Sequence, residues 1–96
     1  MSGKPGNATG TVLIDNDRTV VTEWRFRAGE NTGWHRHERD YVIVPLGDGR
    51  LRIVEGGGES VAEMNWGVPY FRAKGVEHDV INASDTDYAF IEIEFK

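Results

Sequence analysis

The chain of 96 residues contains no cysteine. Disulfide bridges, thiolate metal ligands and a thiol nucleophile are therefore excluded, because each of them needs a sulfhydryl group. No stretch approaches the roughly 20 consecutive apolar residues that a membrane-spanning helix requires, and no apolar segment follows a basic N-terminal start. These absences predict a cytoplasmic protein that carries no signal peptide and has no membrane partner.

Positive charge is also scarce. Lysine and arginine together number 11 against 16 aspartates and glutamates, which leaves a net charge of −5. The basic residues are scattered, and an acidic chain repels phosphate backbones, so nucleic acid is not an expected partner. A chain of this length forms one domain and buries only about 60–65% of the surface that its unfolded state exposes. Such a small core gives the protein a reason to pair, and we expect a homodimer.

Short apolar or alternating segments, separated by turn residues, follow one another along most of the chain. The 12 glycines support many turns, and no stretch shows a helical period with caps at both ends. The pattern predicts an all-β domain of about eight to ten short strands at residues 11–96, preceded by a flexible lead-in at residues 1–10. The segments read as strands are residues 11–15, 19–27, 41–46, 51–55, 60–65, 66–72, 78–82 and 88–95.

Two histidines at alternate positions stand out against this background. His35 and His37 point to the same face of an extended strand, and their Cα atoms lie about 7 Å apart at a rise of roughly 3.3–3.4 Å per residue. Two imidazoles at that spacing can bind one metal ion. A single histidine on a strand is more often structural, but the only other histidine of the chain, His78, also lies in a glycine-flanked segment.

The surroundings of the pair resemble the first motif of the cupin superfamily. That motif reads Gly, five residues, His-x-His, three or four residues, Glu, six residues, Gly. This chain has Gly29, five residues, His35 and His37, then two residues, Asp40, six residues and Gly47. The spacer after the second histidine is one residue shorter than in the family, and the acid is Asp rather than Glu.

The segment around the third histidine resembles the second cupin motif, which reads Gly, five residues, Pro, x, Gly, two residues, His, three residues, Asn. The chain matches it with Gly67, Gly75, His78 and Asn82, and places Ala73 where the motif has Pro. Both motifs in order are far more specific than His-x-His alone. The resemblance implies a small double-stranded β-helix, or jelly-roll barrel, and a metal held by the three histidines and a carboxylate. It also implies that Asn82 bonds the backbone of the following turn.

The identity of the fourth ligand stays open between Asp40, Tyr41 and water. Counting back from Gly47 selects Asp40, whereas counting forward from His37 by the usual spacing selects Tyr41. An unbroken strand would point Asp40 away from the histidines, so its carboxylate would reach the metal only across a bulge in residues 38–39. A carboxylate is a better ligand than a neutral phenol, and we therefore favour Asp40. Imidazole and carboxylate ligands suit iron, zinc, nickel or manganese.

Three further side chains are candidates for contact with a small-molecule ligand. Tyr41 shares strand parity with the His pair and is the candidate catalytic group, as a general acid or hydrogen-bond donor; an ordinary core tyrosine is an equal alternative. Arg72 shares parity with His78 and could bind a substrate carboxylate, although a surface arginine paired with Glu is the commoner case. Tyr70, on the same predicted strand, is the second candidate substrate contact.

These observations predict a metal-dependent enzyme that acts on a small organic acid or related metabolite, by oxygenase, isomerase or lyase chemistry. A metal-loaded binding or sensing module without turnover is the alternative, because a fold does not determine a function. Bound metal together with turnover would distinguish the enzyme from the module.

Overall fold

Nine antiparallel strands occupy the part of the chain that the computed structural model describes, residues 6–96. No helix that could span a membrane occurs in this part. The strands are β1 (Thr9–Asp15), β2 (Thr19–Phe26), β3 (His35–Arg36), β4 (Tyr41–Pro45), β5 (Gly49–Glu55), β6 (Gly58–Met64), β7 (Tyr70–Arg72), β8 (Glu77–Asn82) and β9 (Tyr88–Phe95). The all-β prediction is confirmed.

The strands form two sheets. One sheet has five strands in the order β1-β2-β9-β4-β7, and the other has four strands in the order β3-β8-β5-β6. Strands that follow each other in sequence often lie in different sheets, as β3 and β4 do, which is the topology of a jelly roll. The inward side chains of both sheets form the core, which consists of Phe26, Tyr41, Ile43, Leu51, Ile53, Met64, Val80, Tyr88 and Phe90.

The segment of residues 66–72 is less regular than its sequence predicts. Only Tyr70–Arg72 forms a strand, and Trp66 is exposed. The chain instead turns at Gly67, whose φ of 70° lies in the left-handed region that favours glycine. The backbone N–H of Gly67 donates to the carbonyl of Pro45 at 3.0 Å, which closes this turn against the end of β4.

The predicted lead-in is held in place over the portion that the structure describes. The backbone N–H of Gly6 donates to the carbonyl of Thr32 at 3.1 Å, and that of Ala8 donates to the carbonyl of Asn31 at 2.8 Å. Strand β1 then begins at Thr9. Residues 6–10 are therefore attached to the segment that precedes the His pair, and residues 1–5 of the predicted lead-in lie outside the described part.

Candidate metal centre

The pairing of β3 with β8 brings the three histidines together. His35 lies directly opposite His78 in the register of this antiparallel pair. The ladder continues beyond β3, because the N–H of His37 donates to the carbonyl of Val76 and the N–H of Gly75 donates to the carbonyl of His37, both at 2.8 Å. Residues two apart share a face, so all three imidazoles project from the same side of the sheet into the barrel.

The imidazoles converge through their Nε2 atoms. The Nε2 atoms of His35 and His37 lie 2.9 Å apart, and those of His37 and His78 lie 3.2 Å apart. All three side chains are buried. Ligand nitrogens bound to one ion at roughly 2.0–2.1 Å must themselves lie about 3 Å apart. The spacing of these atoms therefore fits a common metal ion, and the three histidines form a group that could hold one.

Burial also keeps these imidazoles in the form that binds metal. Burial and the neighbouring His35 and His78 lower the pKa of His37 to about 3. Burial and the nearby His35 lower the pKa of His78 to about 4. Both rings are therefore neutral at neutral pH, and a neutral imidazole offers a nitrogen lone pair to a metal.

The hydrogen bonding of His35 shows which of its nitrogens is free. Its Nδ1 lies 2.8 Å from the carbonyl oxygen of Gly33, and since a carbonyl only accepts, Nδ1 carries the proton. The lone pair of His35 then lies on Nε2, which points at His37 and His78. The Nε2 atoms of the other two rings lie beside it at the spacing of ligands that share one ion. The donor set therefore fits a divalent metal.

Asp40 is not brought to the histidines, and the sequence prediction of a ligand at this position needs correction. Its side chain is exposed, and its Oδ1 accepts a hydrogen bond from the backbone N–H of Lys74 at 2.8 Å. The physical reason is that residues 38–40 neither continue β3 nor form a bulge. They cross from one sheet to the other, and β4 begins with Tyr41 facing inward, so Asp40 faces outward.

Tyr41 enters the site from the sheet opposite β3. Its ring stacks on the imidazole of His37, with ring centroids 3.8 Å apart and an interplanar angle of 17°. Burial raises the pKa of Tyr41 well above its ordinary value, with a further contribution from Glu92. The phenol is therefore protonated at neutral pH and can donate a hydrogen bond.

The two other candidate contact residues, Tyr70 and Arg72, lie beside Tyr41. In the pairing of β4 with β7, Arg72 lies opposite Tyr41 and Tyr70 opposite Ile43, so the four side chains share the inner face. The guanidinium carbon of Arg72 lies 5.4 Å from the centroid of the Tyr70 ring, within cation–π distance. Burial raises the pKa of Tyr70. Both residues line the cavity that the histidines also line.

This cavity has a volume of about 60 Å³. At roughly 10–15 Å³ for each water-sized position, it accommodates a few small groups. Arg72 is exposed, whereas the histidines are buried, so the arginine lies on the solvent side of the cavity. The arrangement can hold a small anionic molecule between a guanidinium and the three imidazoles.

Glu92 is a further functional candidate, which the sequence places on a barrel-lining strand without assigning it a role. It lies on the inner face of β9, opposite Ile43, and lines the cavity with only 8% of its surface exposed. Burial raises its pKa to about 7, with a contribution from Glu94. The isoleucines of β9 suggest the opposite face as the buried one. The signal that could have found Glu92 is its parity with Tyr88 and Phe90, both of which lie in the core.

Comparison with known proteins identifies relatives over the whole chain, although no family model matches it. The β-alanine degradation protein BauB of Pseudomonas aeruginosa is 51% identical over 96 residues, which cover 100% of both chains. The crystal structure of a cupin domain from Bordetella pertussis is 50% identical, superposes with a TM-score of 0.92 and is matched over 99% of each chain.

More distant structures share the fold. The polyketide cyclase RemF of Streptomyces resistomycificus matches 99% of this chain and 70% of its own length, with a TM-score of 0.77 at 23% identity. An RmlC-like cupin with a double-stranded β-helix fold from Methanocaldococcus jannaschii matches 93% of this chain and 80% of its own, with a TM-score of 0.77 at 11% identity. By its two motifs, its jelly-roll topology and these relatives, the chain belongs to the cupin superfamily.

Proposed function

We propose that the protein is a metal-dependent enzyme that acts on a short carboxylic acid. The observation that carries the proposal is the convergence of three buried Nε2 atoms on a cavity that Arg72 also lines. The relative BauB is named for β-alanine degradation, and β-alanine is a small carboxylic acid. The cavity of about 60 Å³ has room for a substrate of only a few non-hydrogen atoms.

Each residue of the site has a separate role in the proposed reaction. The three imidazoles hold a divalent metal, and since the group contains nitrogen donors alone, iron, zinc or nickel is favoured over manganese. A bound metal would supply a Lewis acid that polarises a substrate oxygen. Arg72 binds the substrate carboxylate through its paired N–H groups. Tyr41 and Tyr70 stay protonated, so they orient the substrate or donate a proton and do not act as bases.

The proposal is tested by elemental analysis of the purified protein, followed by assays of β-alanine and other three-carbon acids with and without oxygen. About one metal per chain and turnover of one such acid are the expected results. Oxygen uptake would identify the oxygenase version. Tight binding of an acid without any product would contradict an enzyme and support the binding module.

Arg72 provides a specific prediction about substrate recognition. Replacing Arg72 by Met should weaken the binding of the carboxylic acid by about 10–100-fold, because a charge-assisted hydrogen bond contributes about 1.5–3 kcal/mol. Isothermal titration of the metal-loaded protein measures this affinity. Arg52→Met is the matched control, since Arg52 is exposed and pairs with Glu59 at 3.1 Å. Equal losses in both variants would contradict a specific role of Arg72.

We also propose that the protein is a homodimer that pairs through β1. This strand lies at the edge of the five-stranded sheet, and all seven of its residues are exposed. Val12, Leu13 and Ile14 are 59%, 52% and 50% exposed. An exposed apolar edge strand is a template for pairing with another strand, and an antiparallel pair of two β1 strands would cover both.

Leu13→Lys is therefore expected to convert the dimer into a monomer, because a lysine on an edge strand opposes pairing. Sedimentation at micromolar concentration should give the wild-type protein twice the chain mass of 10.8 kDa and give the variant that mass alone. Val61→Lys is the control, since Val61 is 57% exposed on β6, at the edge of the other sheet. A monomeric wild type, or dissociation by the control substitution alone, would contradict the proposed interface.

A further inference from the structure

We infer that Glu92, anchored by Trp24, is a positioning residue that fixes the imidazole of His37 with its proton on Nδ1 and its lone pair on Nε2. The inference rests on the proposed metal centre and assigns a role to a carboxylate outside both sequence motifs. It concerns the one histidine whose Nε2 lies close to the Nε2 atoms of both others.

Glu92 lies beside the His37 ring, on the side away from the other two histidines. Its Oε1 lies 3.6 Å from Nδ1 of His37, whereas Nε2 of the same ring points at the other two histidines. The carboxylate therefore faces Nδ1 of His37, and Nε2 stays free to bind the metal. The distance is slightly longer than a hydrogen bond, and such contacts often tighten when the site is loaded.

The carboxylate of Glu92 is itself held in place by a hydrogen bond from Trp24. The indole Nε1–H of Trp24 donates to Oε2 of Glu92 at 3.2 Å. In the sheet, Glu92 lies opposite Thr22 of β2 and opposite Ile43 of β4. Pairing with a strand on each side therefore fixes the position of its backbone. With Oε2 engaged by the indole, Oε1 is the atom left to accept the proton of His37.

The contact with Glu92 determines which nitrogen of the His37 imidazole carries the proton. A neutral histidine has one N–H and one lone pair, and a group that accepts from Nδ1–H selects the tautomer whose Nε2 is free for a metal. His35 achieves this through the carbonyl oxygen of Gly33. For His37 the corresponding group is the side-chain carboxyl of Glu92. Tyr41 stacks on the face of the same ring and limits its tilt. The His37 imidazole is therefore fixed both at its edge, by Glu92, and on its face, by Tyr41.

The experiment uses the full-length protein in metal-free and Zn²⁺-loaded forms. Long-range proton–nitrogen NMR correlations of the metal-free wild type should show His37 protonated at Nδ1. Glu92→Leu should give a mixture of the two tautomers and weaken Zn²⁺ binding by about 10–100-fold, as measured by competition with a chelator. Trp24→Phe, which frees the carboxylate, should fall between wild type and that variant.

Glu63→Leu is the matched control, because Glu63 is an exposed glutamate of β6 that pairs with Arg50 at 3.2 Å and does not line the cavity. It should keep the wild-type tautomer and affinity. If Glu92→Leu does not fold, Glu92→Gln carries the test, since a glutamine amide has a single acceptor oxygen for the N–H groups of both Trp24 and His37 and lacks the charge. Its affinity should then fall by a few-fold, and a wild-type affinity would overturn the inference.

The outcomes separate this inference from the proposed function. An Nδ1-protonated His37 that becomes mixed in Glu92→Leu supports the inference even if no metal is found in the purified protein, in which case the proposed function fails. Equal Zn²⁺ affinity and an unchanged tautomer in wild type, Glu92→Leu and Glu63→Leu would leave the metal centre intact and overturn the role of Glu92. Wild-type Zn²⁺ affinity in Trp24→Phe would overturn the anchoring role of Trp24.

Discussion

The replacement of His37 or His78 by Ala is expected to abolish stoichiometric metal binding. Each of these histidines supplies one of three nitrogen donors. A site with two donors binds metal more weakly and no longer fixes the coordination geometry. Removal of a group that only supports a ligand costs about 10–100-fold in affinity, so the loss of a ligand itself should exceed about 100-fold. Elemental analysis should find about one metal per chain in the wild type and far less in either variant.

Asp40→Asn is the control for this experiment, and it also tests the correction that the structure makes. The Asp40 carboxylate accepts from the backbone N–H of Lys74, and the amide oxygen of Asn can do the same. Metal content should therefore stay at the wild-type level. Full metal retention in both His37→Ala and His78→Ala would refute the three-histidine site. Loss of metal in Asp40→Asn would show that Asp40 is a metal ligand after all.

The second large effect is expected on stability, from the replacement of Asn82 by Ala. Asn82 is 1% exposed, and its side-chain amide donates to the carbonyls of Arg27 at 3.2 Å and Thr86 at 2.9 Å. Its Oδ1 accepts from the N–H of Ser84 at 3.0 Å. This arrangement confirms the prediction that Asn82 bonds the backbone of the turn that follows β8.

The substitution removes three hydrogen bonds at once and leaves their backbone partners without an acceptor or donor. A hydrogen bond contributes about 0.5–1.5 kcal/mol net, so we expect the loss of all three in Asn82→Ala to lower the free energy of unfolding by about 3 kcal/mol. In a domain of this size, that corresponds to a decrease in Tm of roughly 12–24 °C. Thermal and urea unfolding, followed by circular dichroism, measure the change.

Asn65→Ala is the matched control, because Asn65 is an exposed asparagine whose side chain makes none of the described hydrogen bonds. Its effect should stay within about 0.5 kcal/mol. The backbone of Asn82 also bonds the loop that leads to the His pair, through the N–H of Gly29 at 3.0 Å and the carbonyl of Glu30 at 2.9 Å. A decrease in stability for Asn82→Ala no larger than for the control would show that the amide is not the link between β8 and these loops.

Much of the fold and the histidine site could be predicted from local pattern. The alternation of Thr19–Phe26 and Tyr88–Phe95, and the glycines between strands, predicted strands at the places where they occur. The site was predictable because a period of two aims His35 and His37 at one point, and because the second motif marks His78. These properties depend only on strand geometry, which neighbouring residues in the sequence determine.

The carboxylates could not be placed in this way. Whether Asp40 faces the metal depends on whether residues 38–40 continue a strand or cross to the other sheet, and that is decided by which strands pair. The same holds for Glu92, since the choice of the buried face of β9 follows from its pairing between β2 and β4. A one-residue change of parity reverses which side chains are inside.

By itself the sequence determined the all-β class, the positions of most strands along the chain and the identity of the three histidines, because each of these follows from residue types at short spacing. Only the tertiary structure decided that Tyr41 stacks on His37, that Asp40 bonds Lys74, and that Glu92 and Trp24 lie behind the metal-binding face. These contacts join residues that are distant in the chain or lie on different sheets. They depend on strand order and register, which long-range packing of the whole core determines.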